Sequence, residues 1–213
     1  MPVQLAVTSL KLLPILYYSS REALPRAFSF FAVHAYLVGM STEVDKLYYT
    51  TTTVVGWIDV FTRSKYIEIL YDSIRYCQEH KGLEVFGYVI MPNHFHLICR
   101  STQWPLNHVL RDLKSFTSKK MIEAIASNPQ ESRREWLMYM FEYFGKRNSQ
   151  NTKFQFWQHG NHPIELWSID VIRQKLNYLH QNPVKAEFVT DPHHYLHSSA
   201  HEDRRLNTLE LNV

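Results

Sequence analysis

Cysteine is nearly absent. Cys77 and Cys99 are the only two in 213 residues, and they form neither a CxxC pair nor a disulfide framework. That excludes a small disulfide-stapled scaffold. Both read as reduced thiols of a cytoplasmic protein, packed as small hydrophobes. No run reaches the roughly 18 consecutive apolar residues of a membrane-spanning helix, so no membrane partner is expected. There is no Walker-type phosphate loop, so no nucleotide-driven chemistry is implied. An internal repeat is also missing. Nor is there a strong excess of one charge: the net +3 permits a nucleic-acid partner without demanding one.

What is present is the profile of a folded domain, with 45% hydrophobic and 20% charged residues. Twelve His, thirteen Tyr and five Trp are the richer signal, because imidazoles bind metals and aromatic rings stack on bases. Residues 1–40 hold only Lys11, Arg21, Glu22 and Arg26 as charged groups, with Pro14 and Pro25 interrupting any helix. The late charge and Pro14 do not suit a secretory signal. We expect residues 1–40 to be an N-terminal extension, with Met40 the start of ordinary protein sequence. The main domain is expected over 41–200 and a polar tail over 201–213.

Within the main domain, residues 47–61 are rich in Thr, Val, Tyr and Trp and predict a first strand. Apolar residues at helical spacing predict a helix over 64–80. Residues 83–91 and 94–100 predict two strands joined in an antiparallel hairpin across Pro92-Asn93. A helix over 105–125 follows, then one over 131–144, a short fourth strand over 154–158, and a last helix over 170–182. Ser168 is placed to cap that helix and Pro183 to terminate it. The order predicts an α+β, ferredoxin-like antiparallel sheet with helices on one face, plus a C-terminal helix.

Two patterns carry chemistry. In a strand, residues i and i+2 share a face, so His94 and His96 project together while Phe95 points to the other side. Such a pair can bind one metal if a third ligand comes from elsewhere, but HxH alone also fits the solvated face of a sheet. On the last helix, Gln174, Tyr178 and Asn182 form a stripe distinct from the apolar stripe of Ile172, Leu176 and Leu179. Tyr178 can present its hydroxyl, and Asn182 offers a hard oxygen ligand suited to Mg2+ or Mn2+. A surface tyrosine with a helix-capping Asn fits the same pattern. Lys175 is placed to lower the Tyr178 pKa or to hold a phosphate, and Lys185, just after the helix, to hold a phosphate.

The block Tyr88-Val89-Ile90-Met91-Pro92-Asn93-His94-Phe95-His96-Leu97-Ile98 resembles the HUH block of the single-tyrosine, IS200-like transposases. Tyr178-Leu179-His180-Gln181-Asn182-Pro183-Val184-Lys185-Ala186 resembles the tyrosine helix of the branch associated with repetitive extragenic palindromes (REP). Weaker matches lie in order at Lys114-Ser115-Phe116-Thr117, Phe156-Trp157-Gln158-His159-Gly160 and Tyr195-Leu196-His197-Ser198-Ser199-Ala200. The resemblance covers about residues 47–200. It implies that His94, His96 and Asn182 bind Mg2+ or Mn2+, and that Tyr178 cleaves single-stranded DNA beside hairpins through a 5′-phosphotyrosine. Arg111, Lys114, Lys119 and Lys120 are candidate phosphate contacts. The family includes dimers and monomers, so a homodimer stays open. Two alternatives also stay open: a non-catalytic or domesticated hairpin-binding protein, and a zinc hydrolase using the two histidines and a distant carboxylate.

Overall fold

A computed structural model describes residues 46–148 and 153–211. The extension expected over residues 1–40 lies outside the described residues.

Strand β1 (Tyr48–Thr53) is made of Tyr and Thr alone, residues that suit a pleated surface. Strands β2 (Leu83–Met91) and β3 (His94–Ser101) form the expected hairpin, closing with Met91 opposite His94 across Pro92-Asn93. With β4 (Ile164–Glu165) they build one antiparallel sheet in the order β2-β3-β1-β4. The first and third strands are thus central, as a ferredoxin-like order requires.

Alternation on β3 divides the interior in two. Phe95, Leu97 and Cys99 enter the larger core under helices α1 (Ser64–Lys81) and α2 (Leu106–Ala126). Ile98 joins Tyr49, Val89, Met91, Leu166 and Leu179 in a smaller cluster on the opposite face. Helix α4 (Ile169–Lys185) supplies Leu179 to that cluster, with Val171, Ile172 and Leu176 packed around it. His94 and His96 share the parity of Ile98, so they face the α4 side. Helix α3 (Arg134–Lys146) adds Leu137 and Phe141 to the larger core. Gly87 lets α4 come close: a Cβ there would lie 2.7 Å from Leu176 Cδ1.

Four sequence expectations shift. The first strand stops at Thr53 because the chain then turns through two left-handed residues, Gly56 at φ 64° and Trp57 at φ 56°. For the same reason the segment 154–158, expected as the fourth strand, makes only one bridge, Val54 to Trp157. Its Phe156 and Trp157 serve the core instead. Helix α3 starts later than expected, since Glu131 is buried before it in ion pairs with Arg63 (2.7 Å) and Arg133 (3.2 Å). Finally, α4 does not end at Pro183 but runs through it to Lys185. Proline cannot donate to the Leu179 carbonyl four residues back, and the Asn182 side-chain amide does so instead at 3.3 Å.

The polar C-terminal stretch is not loose where it is described. The Ile90 N–H donates to the His197 carbonyl, the Ser199 N–H to the Tyr88 carbonyl, and the Leu209 N–H to the Val85 carbonyl, at 2.8, 2.8 and 2.9 Å. These bonds occupy the outer edge of β2, an edge that would otherwise invite pairing with another chain.

Candidate active site

His94 and His96 stand side by side, with ring centroids 4.8 Å apart. Each is held through Nδ1. His94 Nδ1 lies 2.7 Å from Asn93 Oδ1. The Asn93 amide nitrogen donates to Asp59 Oδ1 at 2.8 Å and to the Trp57 carbonyl at 3.3 Å. Both of those partners only accept, so the oxygen of Asn93 must face His94. His94 therefore donates from Nδ1 and keeps a lone pair on Nε2. His96 Nδ1 meets two hydroxyls, Tyr49 at 2.8 Å and Thr51 at 2.9 Å. Neither Nε2 has a hydrogen-bond partner among the described residues.

Electrostatics keep both rings neutral, which is the ligating form. Burial lowers the pKa of His94. Burial, then the neighbouring His94, then Lys175, take His96 down to about 3, against the opposing backbone bond to Thr50. Among the described residues no three His, Cys, Asp or Glu side chains converge as a metal cluster. The candidate donors for a divalent ion are the two imidazole Nε2 atoms, with an amide oxygen as a candidate third. Nδ1 partners of this kind are the usual way such ligands are oriented.

Helix α4 brings Tyr178 to the same place. Ser168 caps the helix by accepting from the Val171 N–H at 3.3 Å. The Tyr178 ring lies 6.3 Å from that of His96 and 6.2 Å from that of Tyr49, edge-on to both. It is 42% exposed, hence open to a substrate. Two ammonium groups hang over it, Lys185 Nζ at 4.7 Å and Lys175 Nζ at 5.7 Å from the ring centroid. Asn182 sits one turn further on. Its amide nitrogen donates to the Tyr178 carbonyl at 2.9 Å as well as to Leu179, so its oxygen is not spent on the helix. It makes no hydrogen bond to either histidine.

The four cations on α2 belong elsewhere. Alternation on β3 places that helix across the sheet from the histidines. Lys114 is fully engaged there, donating to the Gln158 and Gly160 carbonyls, both at 2.8 Å, and to Asn161 Oδ1 at 3.2 Å. Burial brings its pKa down to about 8. Arg111 pairs with Asp112 at 3.1 Å and Lys120 with Glu123 at 3.3 Å, while Lys119 is exposed. Sequence reasoning missed Tyr49, Thr51, Asp59 and Trp57. For Asn93 it had only a turn residue, although its place just before His94 was a usable signal.

The fold and the site together define a class: an α+β domain presenting a histidine pair on a central strand and a tyrosine helix across the same face. Residues 44–156, more than half of the chain, match the family described as transposase IS200 like. The chain belongs to the IS200-like transposase family. Among solved structures it is similar to a REP-associated tyrosine transposase bound to a REP hairpin. The two share 15% identity, with a TM-score of 0.52 over 72% of this chain and 76% of the other. No curated protein matches the chain in sequence.

Proposed function

We propose that this protein is a metal-dependent endonuclease and transposase that cuts and rejoins single-stranded DNA beside hairpins, using Tyr178 as nucleophile. The observation that carries this reading is the 6.3 Å separation between the Tyr178 and His96 rings of one chain. Nucleophile and metal-ligand candidates are assembled without a second subunit. The similarity to a transposase structure bound to a REP hairpin supports a hairpin-bearing substrate and the REP-associated branch.

His94 and His96 would hold Mg2+ or Mn2+ through their Nε2 atoms, with Asn182 Oδ1 as third ligand. When bound, the ion would polarise the scissile phosphate and offset charge in the transition state. Lys175 and Lys185 bring positive charge to the tyrosine, where the phosphate must arrive. The Tyr178 oxygen attacks phosphorus, the P–O3′ bond breaks, and the displaced oxygen leaves as a 3′-hydroxyl after gaining a proton. The phenol loses one proton and the leaving oxygen gains one, so no water and no nucleotide are consumed. Reversal by a 3′-hydroxyl rejoins strands, because the phosphotyrosine conserves the bond energy.

The test is adduct formation. Wild-type protein and a single-stranded hairpin oligonucleotide, with Mg2+ or Mn2+, are expected to give a protein–DNA species that survives a denaturing gel. Chelation abolishes it, and Tyr178→Phe loses it by at least a thousandfold. An adduct that persists in Tyr178→Phe overturns the mechanism. Hairpin binding with no adduct from the wild type would mark a non-catalytic binding module.

A further inference from the structure

Trp57 is left unexplained by packing. Its backbone is left-handed, at φ 56°, a region that a bulky L-residue occupies only at a cost. Such strain persists where surrounding structure enforces it and is concentrated at functional sites. Burial does not compensate it here: Trp57 is 60% exposed. Its neighbours on either side, Val55 and Ile58, are buried anchors, and its carbonyl accepts from the Asn93 amide that orients His94. Among the described residues, the one ring it meets is His94, edge-on, with centroids 5.6 Å apart. The indole therefore stands at the His94 end of the histidine pair, while Tyr178 stands at the His96 end.

We infer that Trp57 is a stacking platform for the nucleobase on the leaving-group side of the scissile phosphate. The inference rests on the proposed reaction and deepens it. In an in-line displacement the attacking and departing oxygens lie on opposite sides of phosphorus. With Tyr178 at one end of the histidine pair, the departing 3′-oxygen and its nucleotide lie toward the other end, where the indole is. An exposed aromatic face binds any base by stacking, and single-stranded substrates present such bases. Trp57 acts as a positioning residue: it holds the freed 3′ end near the phosphotyrosine, where rejoining needs it.

The test uses full-length protein and a hairpin oligonucleotide with 2-aminopurine immediately 5′ of the mapped cleavage position. Binding is read in the Tyr178→Phe background, where DNA stays uncut, as quenching of 2-aminopurine fluorescence. Trp57→Gly is expected to lose the quench and to weaken binding about tenfold, within the range for one base–aromatic stack. Trp57→Tyr is expected to keep most of both. Trp57→Gly is also expected to hold or raise the melting temperature, since glycine suits the left-handed backbone. With Tyr178 restored, Trp57→Gly should rejoin strands less efficiently than it cuts them. An unchanged quench in Trp57→Gly, or a lost quench in Trp57→Tyr, overturns the inference. So does a melting temperature lowered by several degrees in Trp57→Gly, which would mark the indole as structural. None of these touches the proposed nuclease reading, which stands or falls on the Tyr178-dependent adduct of the wild type.

Discussion

Replacing Asn93 with Ala probes how the histidine pair is held. The change removes the one acceptor on His94 Nδ1, at 2.7 Å, and cuts the link that runs on to Asp59. Loss of an orienting partner of a metal-bound histidine typically costs about 10–100-fold in metal affinity. His94 is only half-buried, so water can replace part of the lost acceptor, and we expect the lower end, about tenfold. His96 gives the internal contrast. It is buried, but two hydroxyls share its Nδ1, at 2.8 and 2.9 Å. Tyr49→Phe or Thr51→Val alone should therefore cost only about two- to threefold, and the pair together about tenfold or more, a non-additive result. Mn2+ binding followed by loss of the free-ion electron paramagnetic resonance signal measures the four variants against wild type without reference to catalysis. Equal Mn2+ affinity in wild type and Asn93→Ala would refute the reasoning. So would single His96-side variants as damaging as their combination.

Two further outcomes follow from particular contacts. Burial opposes ionisation of Glu131, but the hydrogen bonds and charge of Arg133 and Arg63 outweigh it and hold the carboxyl at about 2, against an ordinary 4.5. A depressed carboxylate contributes stability that is complete above its unfolded value and is lost as pH falls through its folded value. The contribution is roughly 3 kcal/mol, so urea midpoints should fall between about pH 4.5 and pH 2, and Glu131→Gln should remove that part of the pH dependence. A fall of equal depth in Glu131→Gln would show that other groups are responsible. Gly87→Ala is expected to push Leu176, and α4 with it, outward. Overpacking of this kind costs about 1–3 kcal/mol. Displacing Tyr178, and Asn182 on the same helix, by a few tenths of an ångström should slow adduct formation about tenfold; an unchanged adduct rate would mean that the helix absorbs the extra methyl.

The sequence was most legible where a local period carries the information. Alternation along β3 was enough to set Phe95 against His94 and His96, and a cap at Ser168 was enough to find the tyrosine helix. It was least legible where the partner lies far along the chain. Tyr49 and Thr51 reach His96 only because β1 pairs with β3 in the register that puts Thr51 opposite His96. Nothing local to the YYTTTT run announces that. A two-residue strand such as β4 has too little length to show a period. Lys114 looked like a cation available for phosphate because its three oxygen partners come from a loop more than forty residues later. Trp57 was hidden for a different reason: a strand-forming residue in a strand-like run gives no sign of a left-handed backbone.

The Asn182–Pro183 step ties two inheritances together. Proline leaves the Leu179 carbonyl without its helical donor, and the Asn182 amide fills that vacancy. The same act fixes which end of the amide is left for a ligand. A repair of backbone bonding thus doubles as a rotamer lock, and one dipeptide encodes both. A carboxylate at residue 182 would lose both donated bonds, whereas an N–H at position 183 would compete only for the Leu179 carbonyl and leave the 2.9 Å bond to Tyr178 in place. Asn182→Asp is therefore the change that frees the side chain, and substitution of Pro183 the one that leaves it aimed.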